Sequence, residues 1–248
     1  MNGLFELIQK SHKCVVFTGA GVSTLSGIPD FRGTGGVYTK PWHGLAVEEI
    51  LSIDCFRVHP EYFYEWAKQF VYCCQDFEPN VVHRTLAALE ERGLVDAVYT
   101  QNIDLLHTRA GSKKCFELHG SPARHHCLAC GNEAAFSEIA PLVMAGKVPR
   151  CSCGGVFKPD IVFYGESLPD GVFSQGEYDF ATADLALALG SSLTVYPAAM
   201  LPEEAVRNGA KLVIVNAQKT HLDPFAYRTY DDLGSVFREI EEALQSAR

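Results

Sequence analysis

The stretch Cys14-Val15-Val16-Phe17-Thr18-Gly19-Ala20-Gly21-Val22-Ser23-Thr24-Leu25-Ser26-Gly27-Ile28-Pro29-Asp30-Phe31-Arg32-Gly33 decides the fold. Its first five residues form a short apolar run that reads as a buried strand. Glycines and a small-residue run able to open a helix follow. That order is how α/β proteins bind a pyrophosphate, because glycine lets the backbone approach the phosphates and a helix start points free N–H groups at them. The rest of the stretch departs from the ordinary dinucleotide fingerprint. The position for a third glycine holds Thr24, and no strand delivers an acidic residue about 20 residues further on. Asp30-Phe31-Arg32 instead adds a carboxylate, a ring and a guanidinium. On their own, Asp30 and Arg32 could equally pair with each other or cap helices.

Outward from this loop, the chain alternates apolar strands with helical patterns. A helix is expected over 3–12, with Leu4, Phe5, Leu7 and Ile8 on one face. Residues 34–42 read as a loop beside the phosphate site. Residues 45–75 carry aromatic and aliphatic residues at helical spacings, expected to pack outside the sheet. A helix over His83–Arg92 ends at Gly93. Strands are expected at Val95–Thr100, Asp160–Tyr164, Leu185–Leu189 and Lys211–Asn216, with a helix over Met200–Asn208. The pattern predicts an α/β fold built on a doubly wound parallel sheet. Residues 120–158 change character: Cys, Gly, Pro and His rise and strand-like runs vanish.

The 248 residues suffice for one large domain, or one domain with a small module, and 47% are apolar. A net charge of −9 argues against a nucleic-acid surface, which wants a basic patch. It is compatible with a basic peptide partner but also ordinary for an enzyme. No run of apolar residues is long enough for a membrane span, and no secretory signal is visible. Nine cysteines, an odd count, fit free and metal-bound thiols in a reducing compartment, so a cytoplasmic protein is expected.

Cys127-x-x-Cys130 and Cys151-x-Cys153 can supply four thiolates to one tetrahedral zinc ion. Gly131 and Gly154-Gly155 allow the tight turns such a site needs. Four protein ligands leave no open position, so the zinc is expected to be structural. The alternative is four unrelated core cysteines, which polar surroundings do not favour. His125 and His126 read as solvated loop histidines.

Two strand ends carry functional groups: Gln101-Asn102-Ile103-Asp104 after the second strand, and Gly190-Ser191-Ser192 after the Ala/Leu strand. Asn216 ends the next strand, and His119 stands just before the cysteine region. Ligands of open α/β sheets gather at such carboxyl ends. A histidine there can be a general base or a satisfied structural residue.

Taken together, the chain resembles the sirtuins, the NAD-dependent protein-lysine deacylases. The resemblance runs from Val15 to Asn216 and rests on GAGVSTLSGIPDFRG (19–33), TQNID (100–104), HG (119–120), the four cysteines, KPDIVFYGE (158–166), GSSL (190–193) and VNA (215–217). It implies a Rossmann-like domain with a small domain made of a zinc module and a helical module. In this chain that gives 1–33, 79–119 and 159–248 as the Rossmann-like part, 34–78 as cofactor loop and helical module, and 120–158 as zinc module.

The resemblance also implies roles. Gly19, Ala20, Gly21, Ser23 and Thr24 would hold the pyrophosphate of NAD. Asp30, Phe31 and Arg32 would border the nicotinamide end, Phe31 shielding the reactive sugar carbon. Asp104 and the Ile103 backbone would hold the carboxamide, and Gln101 and Asn102 the adjoining ribose and a water. Gly190, Ser191, Ser192 and Asn216 would bind the adenosine half. His119 would be the general base, drawing a proton from the ribose hydroxyls after the acyl oxygen has attacked the sugar carbon, with Asn102 as second catalytic residue. Products would be free lysine, nicotinamide and acyl-ADP-ribose.

Val162-Phe163-Tyr164-Gly165-Glu166 and Val195 resemble the segments between which a substrate peptide adds as a strand. The acyl-lysine would pass an apolar tunnel near Phe31, Val162 and Phe163, although core packing also accounts for Phe163. The acidic-acyl branch of the family carries Tyr-x-x-Arg where this chain has Tyr64 and Ala67. A buried acyl carboxylate would lack its guanidinium, so acetyl is expected over succinyl. The expected partners are acetyl-lysine proteins or peptides, with no nucleic acid, no membrane and a monomeric state. A nicotinamide-dependent oxidoreductase would explain the glycine loop and the zinc but neither QNID nor HG. A zinc-ribbon interaction protein would explain the cysteines alone.

Overall fold

A computed structural model describes residues 3–30 and 41–246. The helices are α1 (Gly3–Lys10), α2 (Val47–Ile50), α3 (Ile53–Val58), α4 (Pro60–Phe70), α5 (Val81–Glu91), α6 (Leu106–Arg109), α7 (Phe136–Met144), α8 (Asp170–Ala181), α9 (Met200–Arg207) and α10 (Leu233–Ser246). The strands are β1 (Cys14–Thr18), β2 (Ala97–Thr100), β3 (Cys115–Glu117), β4 (Gly120–Cys127), β5 (Glu133–Ala135), β6 (Phe157–Ile161), β7 (Leu185–Leu189), β8 (Lys211–Val215) and β9 (Arg228–Tyr230).

Six strands form one parallel sheet in the order β3-β2-β1-β7-β8-β9. The chain builds outward from β1 in one direction, then returns to build from β7 in the other. The carboxyl ends of β1 and β7 therefore flank the point where strand order reverses, the usual ligand crevice of such sheets. β1 and β7 are buried along their whole length, which is why their sequences are nearly continuous in apolar residues. Side chains alternate between two cores. Val16, Val98 and Leu187 face α1, α5 and α10 through Leu4, Leu86 and Phe237. Val15, Phe17 and Ala188 face α8 and α9 through Phe180 and Leu201.

A third core is separate from both. Val47, Ile50, Phe56, Phe63 and Trp66 of the 47–70 helices pack with Ile139 and Val143 of α7 and with Ile161 and Phe163. β4, β5 and β6 form an antiparallel sheet beside it, with a register irregularity between Ser121 and His125. The expected absence of strands over 120–158 is thus corrected. Gly120-Ser-Pro-Ala-Arg-His-His-Cys127 has little intrinsic strand preference and is extended because β6 and β5 pair with it on either side. The strand expected at Asp160–Tyr164 begins earlier, at Phe157, and lies in this small sheet, spanning the 158/159 division drawn from sequence. Residues 162–164 leave it to form a rim. His125 is also corrected: it is fully buried, with Nε2 2.7 Å from the Tyr72 hydroxyl, and burial draws its pKa down to about 4. His126 is a strand residue too, partly exposed, with Nδ1 2.7 Å from Asp160.

Two more buried histidines sit under the glycine loop. The His107 Nε2 lies 3.0 Å from the Thr18 hydroxyl, and its ring meets His83 edge-on at 4.7 Å. Burial lowers His83 to about 2 and His107 to about 4. In the unfolded chain both titrate near 6.5, so below that pH the unfolded state binds protons that the native state refuses. For His107 this removes roughly 3 kcal/mol of stability as pH falls from 6.5 through 4. Asp104 and Glu117, raised by burial, work in the opposite sense at the low end. The urea midpoint is expected to drop between pH 7 and pH 5, and His107→Gln to flatten that slope. A midpoint independent of pH would contradict it.

Among the described residues, no helix is long and apolar enough to cross a membrane, and the cysteines described are unpaired by disulfides.

Candidate functional site

At the switch point, three glycines bring two loops into contact. Gly19 N–H donates to Leu189 and Gly21 N–H to Gly190. A Cβ on Gly21 would lie 2.8 Å from the Gly190 backbone, and one on Gly190, whose φ is +58°, would lie 2.4 Å from Val22 N. Only glycine fits at both places. Ala20–Ser26 then winds as a 3-10 helix.

Beneath this loop the polar residues bond one another. The Ser23 hydroxyl donates to Asp104 at 2.6 Å. Asn102 Nδ2 donates to Gly19 O at 3.0 Å and to Ser23 Oγ at 3.1 Å, and Thr100 Oγ1 receives Asn102 N–H. Asp104 also accepts from Leu106 N–H, and burial raises its pKa against these bonds. Gln101 Nε2 donates to Ser191 Oγ at 2.9 Å, joining the ends of β2 and β7.

His119 Nδ1 lies 3.0 Å from the Gln101 carbonyl. A carbonyl only accepts, so Nδ1 carries the proton and Nε2 holds the free lone pair. Burial lowers the pKa of this imidazole, partly offset by the Gln101 bond. Val162 N–H donates to His119 O at 2.8 Å, which fixes the 162–166 rim to the histidine's own backbone.

One cavity of about 570 Å³ connects these pieces. Gly19, Ala20, Gly21, Thr24 and Asp30 line it from the glycine loop, and Gln101, Asn102, Ile103 and His119 from the β2 and β3 ends. Val162, Phe163, Tyr164, Gly165, Glu166 and Val195 line it as well, and Gly190, Ser191, Ser192 and Asn216 complete this set. Ser23 and Asp104 lie behind the wall, although Asp104 borders a second cavity with Ile103. Phe31 and Arg32 lie outside the described residues. Phe163 meets both readings made of it: it lines the cavity and is 2% exposed in the third core. Sequence reasoning missed Leu51, Trp66, Leu168 and the Asp231-Asp232-Leu233 wall segment. The last had a legible signal, since Asp232 accepts Ser235 N–H at the start of α10 as a capping residue does.

The four cysteine sulfurs all lie within 4.8 Å of one another, with pairs at 3.4, 3.5 and 3.7 Å. A tetrahedral zinc with thiolates at the usual distance needs sulfurs roughly 3.8 Å apart, so the set fits the ion. The Cys153 N–H helps draw the Cys151 thiol down to about 6, which favours the thiolate a metal needs. A Cβ on Gly155 would lie 2.5 Å from Cys127 Sγ, so the turn there has to be bare.

The sequence model of the Sir2 family matches residues 19–197. A Thermotoga maritima protein named NAD-dependent protein deacetylase is 44% identical over 98% of this chain and 97% of its own length. One of the same name from Cutibacterium acnes is 43% identical, covering 97% of each. A solved Sir2 structure with a p53 peptide and NAD+ superimposes with a TM-score of 0.87 at 40% identity, over 100% of this chain and 98% of that one. Another, holding a deacetylated p53 peptide and 3'-O-acetyl ADP-ribose, gives 0.89 at 41% identity over 98% and 96%. With likeness of this extent in both sequence and fold, the chain belongs to the Sir2 family.

Proposed function

We propose that the protein is an NAD-dependent protein-lysine deacetylase, transferring the acyl group to ADP-ribose with release of nicotinamide. The observation that carries this reading is His119: a half-buried imidazole with Nδ1 tied to a carbonyl and Nε2 free, in the cavity that the glycine loop and the 162–166 rim share. Relatives named for the same activity, and Sir2 structures that hold NAD+ with a p53 peptide or an acetylated ADP-ribose, support it.

NAD, when bound, supplies a sugar carbon that becomes electrophilic as nicotinamide departs. The chain's own residues do the rest. Gly19, Ala20, Gly21, Ser23 and Thr24 receive the pyrophosphate, Ser23 by fixing the loop from behind. Gly190, Ser191, Ser192 and Asn216 hold the adenosine half. Gln101 and Asn102 address the nearer ribose, and Ile103 the carboxamide, with Asp104 reaching it from the second cavity that the two residues share. Asp30 borders the nicotinamide end, a role that the family resemblance extends to Phe31 and Arg32, which lie outside the described residues. His119 Nε2 takes a proton from a ribose hydroxyl. Val162–Glu166 and Val195 receive the peptide as an added strand. Cys127, Cys130, Cys151 and Cys153 hold one zinc that builds the small domain and touches no substrate, since four thiolates complete its shell.

We keep the division into 1–33, 79–119 and 159–248, 34–78, and 120–158 as units of the sequence; two cores cover the faces of the parallel sheet, while 34–78 and 120–158 share the third core and β6 crosses the last boundary. The reading extends to a cytoplasmic monomer that engages no nucleic acid, consistent with free thiols and a net charge of −9. Acetyl is favoured over succinyl. The Tyr64 hydroxyl is spent on the Phe157 carbonyl and Ala67 is fully buried, so no guanidinium meets an acyl carboxylate from that helix turn.

The test is nicotinamide release. It is expected only when NAD and an acetyl-lysine peptide are both present, and about tenfold or more slower with a succinyl-lysine peptide. Release without peptide would sink the reading, and growth of the reduced-cofactor absorbance would replace it with an oxidoreductase.

A further inference from the structure

Lys158 is buried, with 3% of its side chain exposed, a rare state for lysine. Its ammonium has three protons and the structure gives each an acceptor. Nζ lies 2.8 Å from Ile161 O, 3.2 Å from Pro159 O and 2.9 Å from Glu166 Oε2. It also stands 4.4 Å over the Phe163 ring, where a cation is attracted by the ring face. The same Glu166 oxygen is shared: Oε2 also accepts the Phe163 N–H at 2.8 Å. Glu166 N–H returns to Phe163 O at 2.9 Å.

These bonds close a ring around Ile161–Glu166, where the chain leaves β6 and turns along the cavity. Backbone contacts hold the same segment at two further points: Val162 N–H on His119 O, and Tyr164 N–H on Leu51 O with Ile53 N–H on Tyr164 O. No described hydrogen bond uses Val162 O, Gly165 N–H or Gly165 O, which remain available to an added strand. The ion pair stands behind this edge. Lys158 does not line the cavity; Glu166 does, with its Oε2 bonded to Lys158 and to the Phe163 N–H of its own segment.

We infer that Lys158 is a positioning residue for the peptide and that Glu166, itself on the rim, serves the peptide through its side chain as well: their ion pair holds the 162–165 backbone in the shape that accepts the substrate strand, Lys158 itself touching no substrate. This rests on the deacetylase reading of the cavity and assigns a function to two charges that the reaction does not consume. The pair's reach is specific to one substrate. The loops at Gly19–Thr24 and Gly190–Ser192 take no bond from it, so the NAD side is expected to be spared.

The experiment compares zinc-replete wild type, Lys158→Met, Lys158→Arg and Glu166→Gln. It measures peptide KM, NAD KM and kcat, and separately the anisotropy of a fluorescent acetyl-lysine peptide, which needs no turnover. Lys158→Met is expected to raise peptide KM and weaken peptide binding about tenfold or more, with NAD KM and kcat within about threefold. Glu166→Gln keeps the Phe163 acceptor but loses the charge, and should fall between. Lys158→Arg, which keeps the charge, should recover most of the loss. Peptide binding unchanged in Lys158→Met, or peptide and NAD parameters worsening in equal proportion, would overturn the inference. If Lys158→Met fails to fold, the Glu166→Gln and Lys158→Arg pair decides by the same split. Wild type that neither binds the peptide nor releases nicotinamide would instead remove the deacetylase reading, and this inference with it.

Discussion

Replacing His119 with alanine is expected to stop peptide-dependent nicotinamide turnover to product, with a loss of about 10²–10⁴-fold or more, while NAD affinity stays within a few-fold. The asymmetry follows from where the ring sits. Its Nδ1 bond goes to a backbone carbonyl and not to a side chain that binds cofactor, so removal leaves the glycine loop, Asn102 and Ser191 in place. The ring works only when Nε2 is unprotonated. Burial lowers its pKa from the ordinary histidine value near 6.5, which keeps the base form dominant at neutral pH and places the acid limb of kcat/KM below about 6.5. Steady-state rates across pH, paired with calorimetric NAD titrations of both proteins, check the two halves. Full activity in the alanine variant would remove His119 from the chemistry. An NAD affinity that collapses with it would make the residue structural.

Stripping the metal, or replacing Cys151 with serine, is expected to unfold the small antiparallel sheet and leave the parallel sheet standing. Structural zinc sites carry about 10–16 kcal/mol of apparent binding free energy, more than a three-stranded sheet of this size can replace. β4 has low strand preference, and its pairing with β5 and β6 depends on a turn closed by Cys127 and Gly131. When that turn opens, the buried Tyr72–His125 contact and the Tyr64 bond to Phe157 lose their partners, so the third core loosens as well. The six-stranded sheet keeps its two cores. Metal analysis should find one zinc per wild-type chain and none in the variant. Amide exchange should rise across 120–163 while 14–18 and 185–189 stay protected. A metal-free variant with wild-type exchange in β4 would refute the role given to the thiols.

The large sheet was readable from sequence where burial on both faces made strands continuous in apolar residues, as in Val15–Phe17 and Leu185–Leu189. It was unreadable at the edges. β3 and β9 are three residues each, too short for a period to show, and their extension comes from pairing with β2 and β8. β4 was unreadable for a different reason. Glycine, proline, arginine and two histidines carry no strand signal, and only the partners across the sheet hold them extended. The polar groups of the site stood out because they sit at strand ends in a chain otherwise apolar there. Their division of labour did not. Nothing local distinguishes Ser23, which faces Asp104 behind the wall, from Thr24 one residue on, which lines the cavity. Trp66 and Leu51 escaped notice because helical spacing places them in a core, and they serve that core and the cavity at once.

The zinc-bearing insertion begins and ends at one spot. Gly120, the residue after His119, pairs with Ile161, the residue before the peptide-facing rim. A Cβ on Gly120 would fall 2.0 Å from Asp160 O, so the two strands close there as tightly as backbones can. β4 runs from this neck to Cys127, an arm of roughly 25 Å. Mechanically this is a lever with its fulcrum beside the reacting centre. A tilt of about 10° would swing the metal end by roughly 4 Å over that length and barely displace the imidazole. A small tilt of the metal-bearing sheet about this neck is therefore expected to leave the alignment of His119 nearly unchanged.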